Sequence, residues 1–98
     1  MTSGEELTLI YAPITLDHLT NLSDFLLSRD NSHALRIANS LKSAIQYLSH
    51  FPHGARTGRD PETREFPVHG TTLLIVYEFD ALRRTLTILG IFNTQVPR

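Results

Sequence analysis

Apolar residues follow one another in a short β-prone run near the start of the chain and then recur at helical spacing, which predicts a strand followed by a helix. The strand is expected at Leu7–Tyr11 and stops at Ala12-Pro13. The helix is expected to be capped by Thr15, with Asp17 in its first turn, and to end near Arg29. Its apolar stripe consists of Leu16, Leu19, Leu22, Phe25 and Leu26.

A second apolar stripe predicts another helix directly afterwards. Asp30-Asn31-Ser32 supplies a turn and an N-cap. Phe51-Pro52 ends the helix, because the residue before a proline is pushed out of helical geometry. So short a connection between the helices predicts an antiparallel hairpin. The second stripe consists of Leu35, Ala38, Leu41, Ile45 and Leu48.

The second half of the chain has the character of a sheet. Residues 53–63 are rich in turn formers and are predicted to be a loop. Strands are predicted at Arg64–Val68, Thr72–Phe79 and Thr85–Phe92, with a turn at residues 80–84. The order β-α-α-β-β-β predicts an α+β fold, in which an antiparallel α-hairpin packs on a four-stranded, mainly antiparallel sheet. We expect one domain, spanning residues 1–98.

Both faces of this predicted sheet carry apolar side chains. Strict alternation along the last two strands sorts them into two sets. One set is Leu73, Ile75, Tyr77, Phe79, Leu86, Ile88 and Phe92, and the other is Leu74, Val76, Leu89 and Ile91. One helix pair covers only one face, so the other is expected to be an interaction site covered by a partner. The alternative is that loop and terminal residues of the chain itself cover it.

Composition narrows the function classes. The net charge of −1 argues against strong direct binding of nucleic acid, and eight of the nine cations are arginine, which favours bidentate contacts with carboxylates or phosphates. The chain has no cysteine and no apolar run of the roughly 18 residues that a membrane span requires. We therefore expect a cytoplasmic protein that does not contact a membrane.

Several short motifs, each unspecific alone, resemble the RelE/ParE toxin superfamily in their order and spacing, and the ParE-like branch in particular. They cover residues 7 to 93. The motifs are Tyr11-Ala12-Pro13, Asp17-His18-Leu19, Phe51-Pro52, Gly58-Arg59, the segment Thr63–Val68, Ile75-Val76-Tyr77 and Ile88-Leu89-Gly90-Ile91.

The resemblance implies the toxin of a type II toxin–antitoxin module, of the kind associated with plasmid stabilization. Such a toxin forms a protein complex with a ParD-like antitoxin, which neutralises it, and ParE-like members inhibit DNA gyrase. The antitoxin would then be the partner that covers the second face of the sheet. The residues expected to bind it are Arg59, Arg64, Leu74, Val76, Leu89 and Ile91. Arg83 and Arg84 are candidates for target binding, against the alternative of a solvent-exposed turn.

The superfamily also contains RelE-like endoribonucleases, which cut messenger RNA on the ribosome. Cleavage without a metal needs a base, an acid and cations that stabilise the transition state. Arg59, Arg64 and His69 are the candidates here, but the loop after the helices has no lysine. ParE-like proteins commonly have an arginine and a histidine where this chain has Gly90 and Asn93. We expect binding rather than catalysis, and an inactive member that binds only antitoxin is a further alternative.

No metal or other cofactor is predicted. His50 and His53 have a spacing compatible with a metal pair, but Pro52 interrupts the helix between them and a third ligand is not evident. The expected role of this pair is as ordinary surface residues.

Overall fold

Two consecutive helices pack against one face of a five-stranded mixed sheet in the computed structural model, which describes residues 7–27, 31–57 and 62–95. The elements are β1 (Thr8–Tyr11), α1 (Pro13–Leu27), α2 (Asn31–His50), β2 (Arg56–Thr57), β3 (Arg64–Pro67), β4 (Leu73–Asp80) and β5 (Thr85–Asn93). The strand order across the sheet is β1-β5-β4-β3-β2. β1 runs parallel to β5, and the other neighbours are antiparallel. The predicted α+β class is confirmed. Neither helix in the described ranges is long and apolar enough to cross a membrane.

The prediction of four strands was wrong by one. β2 lies inside the segment predicted to be a loop and pairs with β3 through only two residues, Arg56 opposite Glu65 and Thr57 opposite Arg64. A strand of two residues is too short to show the alternation of apolar and polar positions that identifies a strand in a sequence. It extends the sheet at the edge beyond β3.

The start of α1 also differs from the prediction. The helix begins at Pro13, whose fixed φ suits the first helical position and whose missing N–H is not needed there. Thr15 is therefore inside the helix rather than at its cap. Its side chain is fully buried and its hydroxyl donates a hydrogen bond to the Ile88 carbonyl at 2.7 Å, so it ties α1 to β5.

The main core lies between the helices and one face of the sheet, which we call the helix face. The largest side chains completely shielded from solvent there include Leu48 of α2, Ile75 and Tyr77 of β4, and Leu86 and Ile88 of β5. Leu19 and Leu22 of α1 pack against this cluster while partly buried. We call the opposite side of the sheet, which carries Leu74 and Val76, the second face.

A β-bulge in β5 breaks the alternation that the sequence analysis assumed. Val76 is opposite Gly90, but the next residue of β4, Tyr77, is opposite Ile88, so Leu89 is an extra residue in its strand. Beyond the bulge the side chains exchange faces. Ile91 is paired with Ile75 and belongs to the main core, whereas Phe92 is opposite Leu74 on the second face. The predicted grouping of these two residues was therefore wrong.

Candidate functional site

Arg64 lies on the helix face and contacts the segment that follows α2. Its Nη1 donates a hydrogen bond to the Ala55 carbonyl at 2.9 Å. Beside it the Tyr77 hydroxyl donates to the Pro52 carbonyl at 2.7 Å. Burial raises the pKa of Tyr77 above its ordinary value of 10.0, although the Arg64 charge acts in the opposite direction. These two hydrogen bonds, from Arg64 and from Tyr77, fix the path of residues 52–55 over the end of β4.

The three residues considered for RNA cleavage do not form one described site. Arg59 lies outside the described residues. Arg64 begins β3, whereas His69 follows its end, and the strand alone separates them by roughly 10 Å. His69 instead lines a cleft with His33 and Arg36 of α2. Arg64 is not among the residues that line this cleft.

Of the four apolar residues predicted to bind an antitoxin, three are on the second face or at its bulge. Leu74 is only 3% exposed, because Pro67 and Phe92 flank it on the neighbouring strands. Val76 and Leu89 are half-buried, and Phe92, which the prediction did not include, is half-buried beside them. Ile91, at 6% exposure, is in the main core. We call Leu74, Val76, Leu89 and Phe92 the apolar strip.

Apart from Ile10 of β1 and Pro67 of β3, the remainder of the second face is polar and mainly acidic. Glu65 is nearly buried and forms an ion pair with Arg56, with an N–O distance of 3.6 Å. Glu78 and Asp80 are exposed farther along β4 and face threonines of β5. The second face carries three described carboxylates and one described arginine, so it does not offer a cationic surface.

The turn between β4 and β5 holds Arg83 and Arg84 in a defined geometry. The Asp80 carboxylate accepts hydrogen bonds from the backbone amides of Leu82 and Arg83, which fixes the start of the turn. Arg84 adopts a left-handed backbone with φ of 49°, where glycine or asparagine is usual. Leu82 is 97% exposed at the tip. The turn therefore presents an apolar side chain next to two exposed arginines.

His50 and His53 make separate contacts. His50 Nδ1 is 2.9 Å from the Gln46 carbonyl, and the His53 ring packs edge-on against Phe79. Within the described part of the chain, no three histidine, aspartate or glutamate side chains are grouped so as to hold a metal ion.

Aromatic residues form an exposed surface at the C-terminal end of α2, which the sequence analysis did not identify. Tyr47 stacks on Phe66 with ring centroids 5.4 Å apart and lies 5.0 Å from Phe51. Tyr47 and Phe51 are 43% and 57% exposed. The position of Tyr47 off the apolar stripe of α2 was the available signal, because a large ring outside a core-facing stripe points to solvent or to a partner.

Comparison with known proteins finds a matching family model and two solved structures with a similar fold. Residues 9–95 match the family model described as the ParE toxin of the type II toxin–antitoxin system parDE. The chromosomal ParDE toxin–antitoxin system of P. aeruginosa contains a similar chain, with a TM-score of 0.76 and 15% identity over 91% of this chain and 97% of that one. The RelBE2 toxin–antitoxin complex of Mycobacterium tuberculosis gives a TM-score of 0.58 and 15% identity, over 90% and 98%. No curated protein matches the sequence.

Proposed function

The chain belongs to the ParE toxin family of type II toxin–antitoxin systems, and on this premise we propose that it is neutralised by a ParD-like antitoxin and inhibits DNA gyrase by binding it. The whole chain acts as one domain in the cytoplasm. The observation that carries the proposal is the family match over residues 9–95, which spans every element of the fold.

The arrangement of polar side chains supports binding over catalysis. A general acid–base mechanism requires its groups within hydrogen-bond reach of one reacting bond. Arg64 is engaged with the Ala55 carbonyl on the helix face, and His69 lies beyond the far end of β3. At position 90 the chain departs from the ParE-like pattern, because the space that the side chain of an arginine would need there is filled. A Cβ on Gly90 would lie 2.7 Å from the Phe92 ring and 3.2 Å from His18.

The apolar strip is the part of the second face that the antitoxin would cover. Val76, Leu89 and Phe92 retain accessible apolar surface, and Leu74 forms the buried floor beneath them. Removing such surface from water contributes about 25 cal/mol for each Å² toward a complex, from which the entropy lost on association is subtracted. Ile91 is left out of this contact, because it belongs to the main core.

The turn between β4 and β5 is the proposed contact with gyrase. Its backbone is already fixed by Asp80, so little backbone entropy is lost when Arg83 and Arg84 bind. It lies at the opposite end of β4 from Leu74, so the target and the antitoxin would use different parts of the molecule.

The test is to express the chain with and without the product of its neighbouring reading frame. The proposal expects growth arrest that the neighbouring product relieves, and loss of supercoiling by purified gyrase when purified toxin is added. Growth arrest without any effect on gyrase would reject the target, and a neighbouring product that neither binds nor rescues would reject the antitoxin partnership.

A RelE-like endoribonuclease is the second candidate, favoured by the likeness to the RelBE2 toxin–antitoxin complex and by the cleft that His69 shares with Arg36. It predicts cut messenger RNA in a translating extract and loss of cutting in His69→Gln. Intact transcripts during growth arrest would eliminate it.

A further inference from the structure

A groove runs along α2 on the side next to β3 and the following turn. It consists of two adjoining clefts of about 480 and 370 Å³, which share Asn39, Ser40 and His69. From His33 to Tyr47 the groove follows α2 for 15 residues, or about 21 Å between the first and last Cα at the rise of an α-helix.

The two ends of the groove differ in chemistry. Arg36 lies at the N-terminal end together with His33 and His69. Tyr47 and Phe66 lie at the other end, stacked on each other and with part of the tyrosine ring exposed. A ligand that fits both ends needs hydrogen-bond acceptors or negative charge at one end and apolar groups at the other.

Charge is distributed so that this groove differs from α1 and from the acidic end of the second face. α2 carries Arg36 and Lys42 and no aspartate or glutamate, and among the described residues no carboxylate lines the groove. The described part of α1 carries Asp17 and Asp24 without a cation. The second face carries Glu78 and Asp80 near its edge. An acidic ligand is therefore attracted to the α2 groove and repelled from the acidic end of the second face.

A protein segment fits these features better than a nucleic acid does. Binding of single-stranded nucleic acid strengthens with the number of phosphates that cations neutralise. Arg36 is the only permanently charged cation among the described groove residues. A groove with one arginine and an aromatic floor instead suits an amphipathic helix, which places apolar residues three and four apart on one side.

We propose that the α2 groove binds an amphipathic helix of about 14 residues from the antitoxin, whose apolar side chains pack on Tyr47 and Phe66 and whose carboxylates face Arg36 and His69. This inference rests on the proposed function, because it takes the antitoxin as the partner. It adds a second contact to the apolar strip and predicts that the carboxylates of the antitoxin act here.

The experiment measures the affinity between the purified chain and the product of the neighbouring reading frame. Arg36→Glu reverses the groove charge, and Ser43→Glu adds a carboxylate at an exposed position that lines the groove. The matched control is Lys42→Glu, which makes the same charge change as Arg36→Glu at an exposed position of α2 that does not line the groove. Urea unfolding of each variant checks that the fold is intact.

The expected result is that each groove variant weakens binding by about tenfold or more while Lys42→Glu changes it by about twofold or less. The loss in Arg36→Glu should decrease at high salt. If the unaltered chain binds and all three variants bind equally well, the groove inference is wrong and the proposed function stands. If the unaltered chain does not bind the neighbouring product at all, the proposed function fails first.

Two other occupants would also overturn the inference. A second copy of the chain would show as self-association in sedimentation that Arg36→Glu weakens, with antitoxin affinity unchanged. A nucleic acid would show as binding of a single-stranded oligonucleotide that the same substitution abolishes, again with antitoxin affinity unchanged.

Discussion

His18 Nδ1 accepts a hydrogen bond from the backbone amide of Ile91 at 3.1 Å, across 73 positions of sequence. β1 pairs with β5 only as far as Ile88, so the outer edge of β5 beyond that residue has no strand beside it. α1 occupies this place, and the His18 ring also packs edge-on against Phe92 with centroids 5.0 Å apart. A helix side chain thus continues the hydrogen bonding of the sheet where its parallel strand ends.

His18→Ala is expected to lower the free energy of unfolding by about 1–3 kcal/mol, because it leaves the Ile91 amide without its acceptor and removes the contact with Phe92. His18→Asn offers a side-chain oxygen near the former Nδ1 and should lose less. Urea denaturation of the two variants measures the difference. Equal losses would show that the ring contact, and not the hydrogen bond, carries the stabilisation.

Tyr77→Phe is expected to reduce stability by about 0.5–1.5 kcal/mol at neutral pH, since it removes the hydrogen bond to Pro52. Its pH dependence is more specific. The pKa of Tyr77 is raised in the folded state, so the unfolded chain loses this proton first as the pH rises above 10.0. The contribution of Tyr77 is complete below that pH and is lost as the pH rises through the raised pKa.

The measurement is urea unfolding of both proteins at neutral pH and above pH 10.0. The unaltered protein should lose more stability than Tyr77→Phe over this interval. Tyr11 and Tyr47 are present in both proteins and provide the common background. Parallel losses in the two proteins would contradict the assignment to Tyr77.

Leu89→Gln is expected to weaken antitoxin binding by about tenfold, because the bulge residue is part of the apolar strip. Thr87→Gln is the matched control, two positions earlier on β5 and on the polar part of the second face. Both residues are half-buried, so unfolding must be measured alongside affinity. Equal affinities for the two variants would remove the apolar strip from the antitoxin contact.

The substitution Arg84→Gly tests whether Arg84 contacts the target without lowering the stability of the fold. Left-handed geometry costs an ordinary residue about 1–2 kcal/mol, and glycine adopts it freely while adding roughly 0.5–1 kcal/mol of chain entropy. The variant is therefore expected to be as stable as the original or up to about 1 kcal/mol more stable. If Arg84 contacts gyrase, this stable protein should inhibit supercoiling less while binding antitoxin normally.

Lys42→Gln, which removes one exposed cation from α2 at a distance from the turn, is the control for this gyrase measurement. If inhibition of gyrase falls equally in Arg84→Gly and Lys42→Gln, the loss is explained by the overall charge of the protein and not by the turn. Inhibition unchanged in Arg84→Gly and in Arg83→Gln would remove the turn from the target contact.

Much of the fold was accessible to sequence reasoning because it depends on local periodicity. α2 shows Leu41 and Leu48 on one stripe, and both are buried as that stripe requires, whereas Leu35 and Ala38 at the start of the same predicted stripe are exposed. The bulge escaped the analysis because Leu89 is apolar and fits an alternating pattern in either register. Gly90 was the available sign, since a glycine inside a strand often marks a bulge or a close backbone approach.

The candidate surfaces were harder to predict, because they depend on contacts between distant parts of the chain. The sequence places His69 near Arg64, and only the fold shows that it lies across a cleft from Arg36. That Arg64 binds a partner stays a prediction, and the fold adds that its position opposite Tyr77 directs Nη1 to the Ala55 carbonyl. The spacing of residues in a sequence does not show which atoms a side chain will contact once its strand is paired.

The extra residue in β5 has a consequence for how this surface changes during evolution. Loss of the codon for Leu89 would remove the bulge and leave Ile91 toward the helices and Phe92 on the second face, because the remaining residues already pair in regular order. Loss of the bulge at unchanged chain length would instead turn over the remainder of the strand, so that the phenylalanine ring faced the helices and the isoleucine faced water. Relatives of equal length that lack the bulge are therefore expected to recognise their partners through unlike side chains, even where the backbones superimpose.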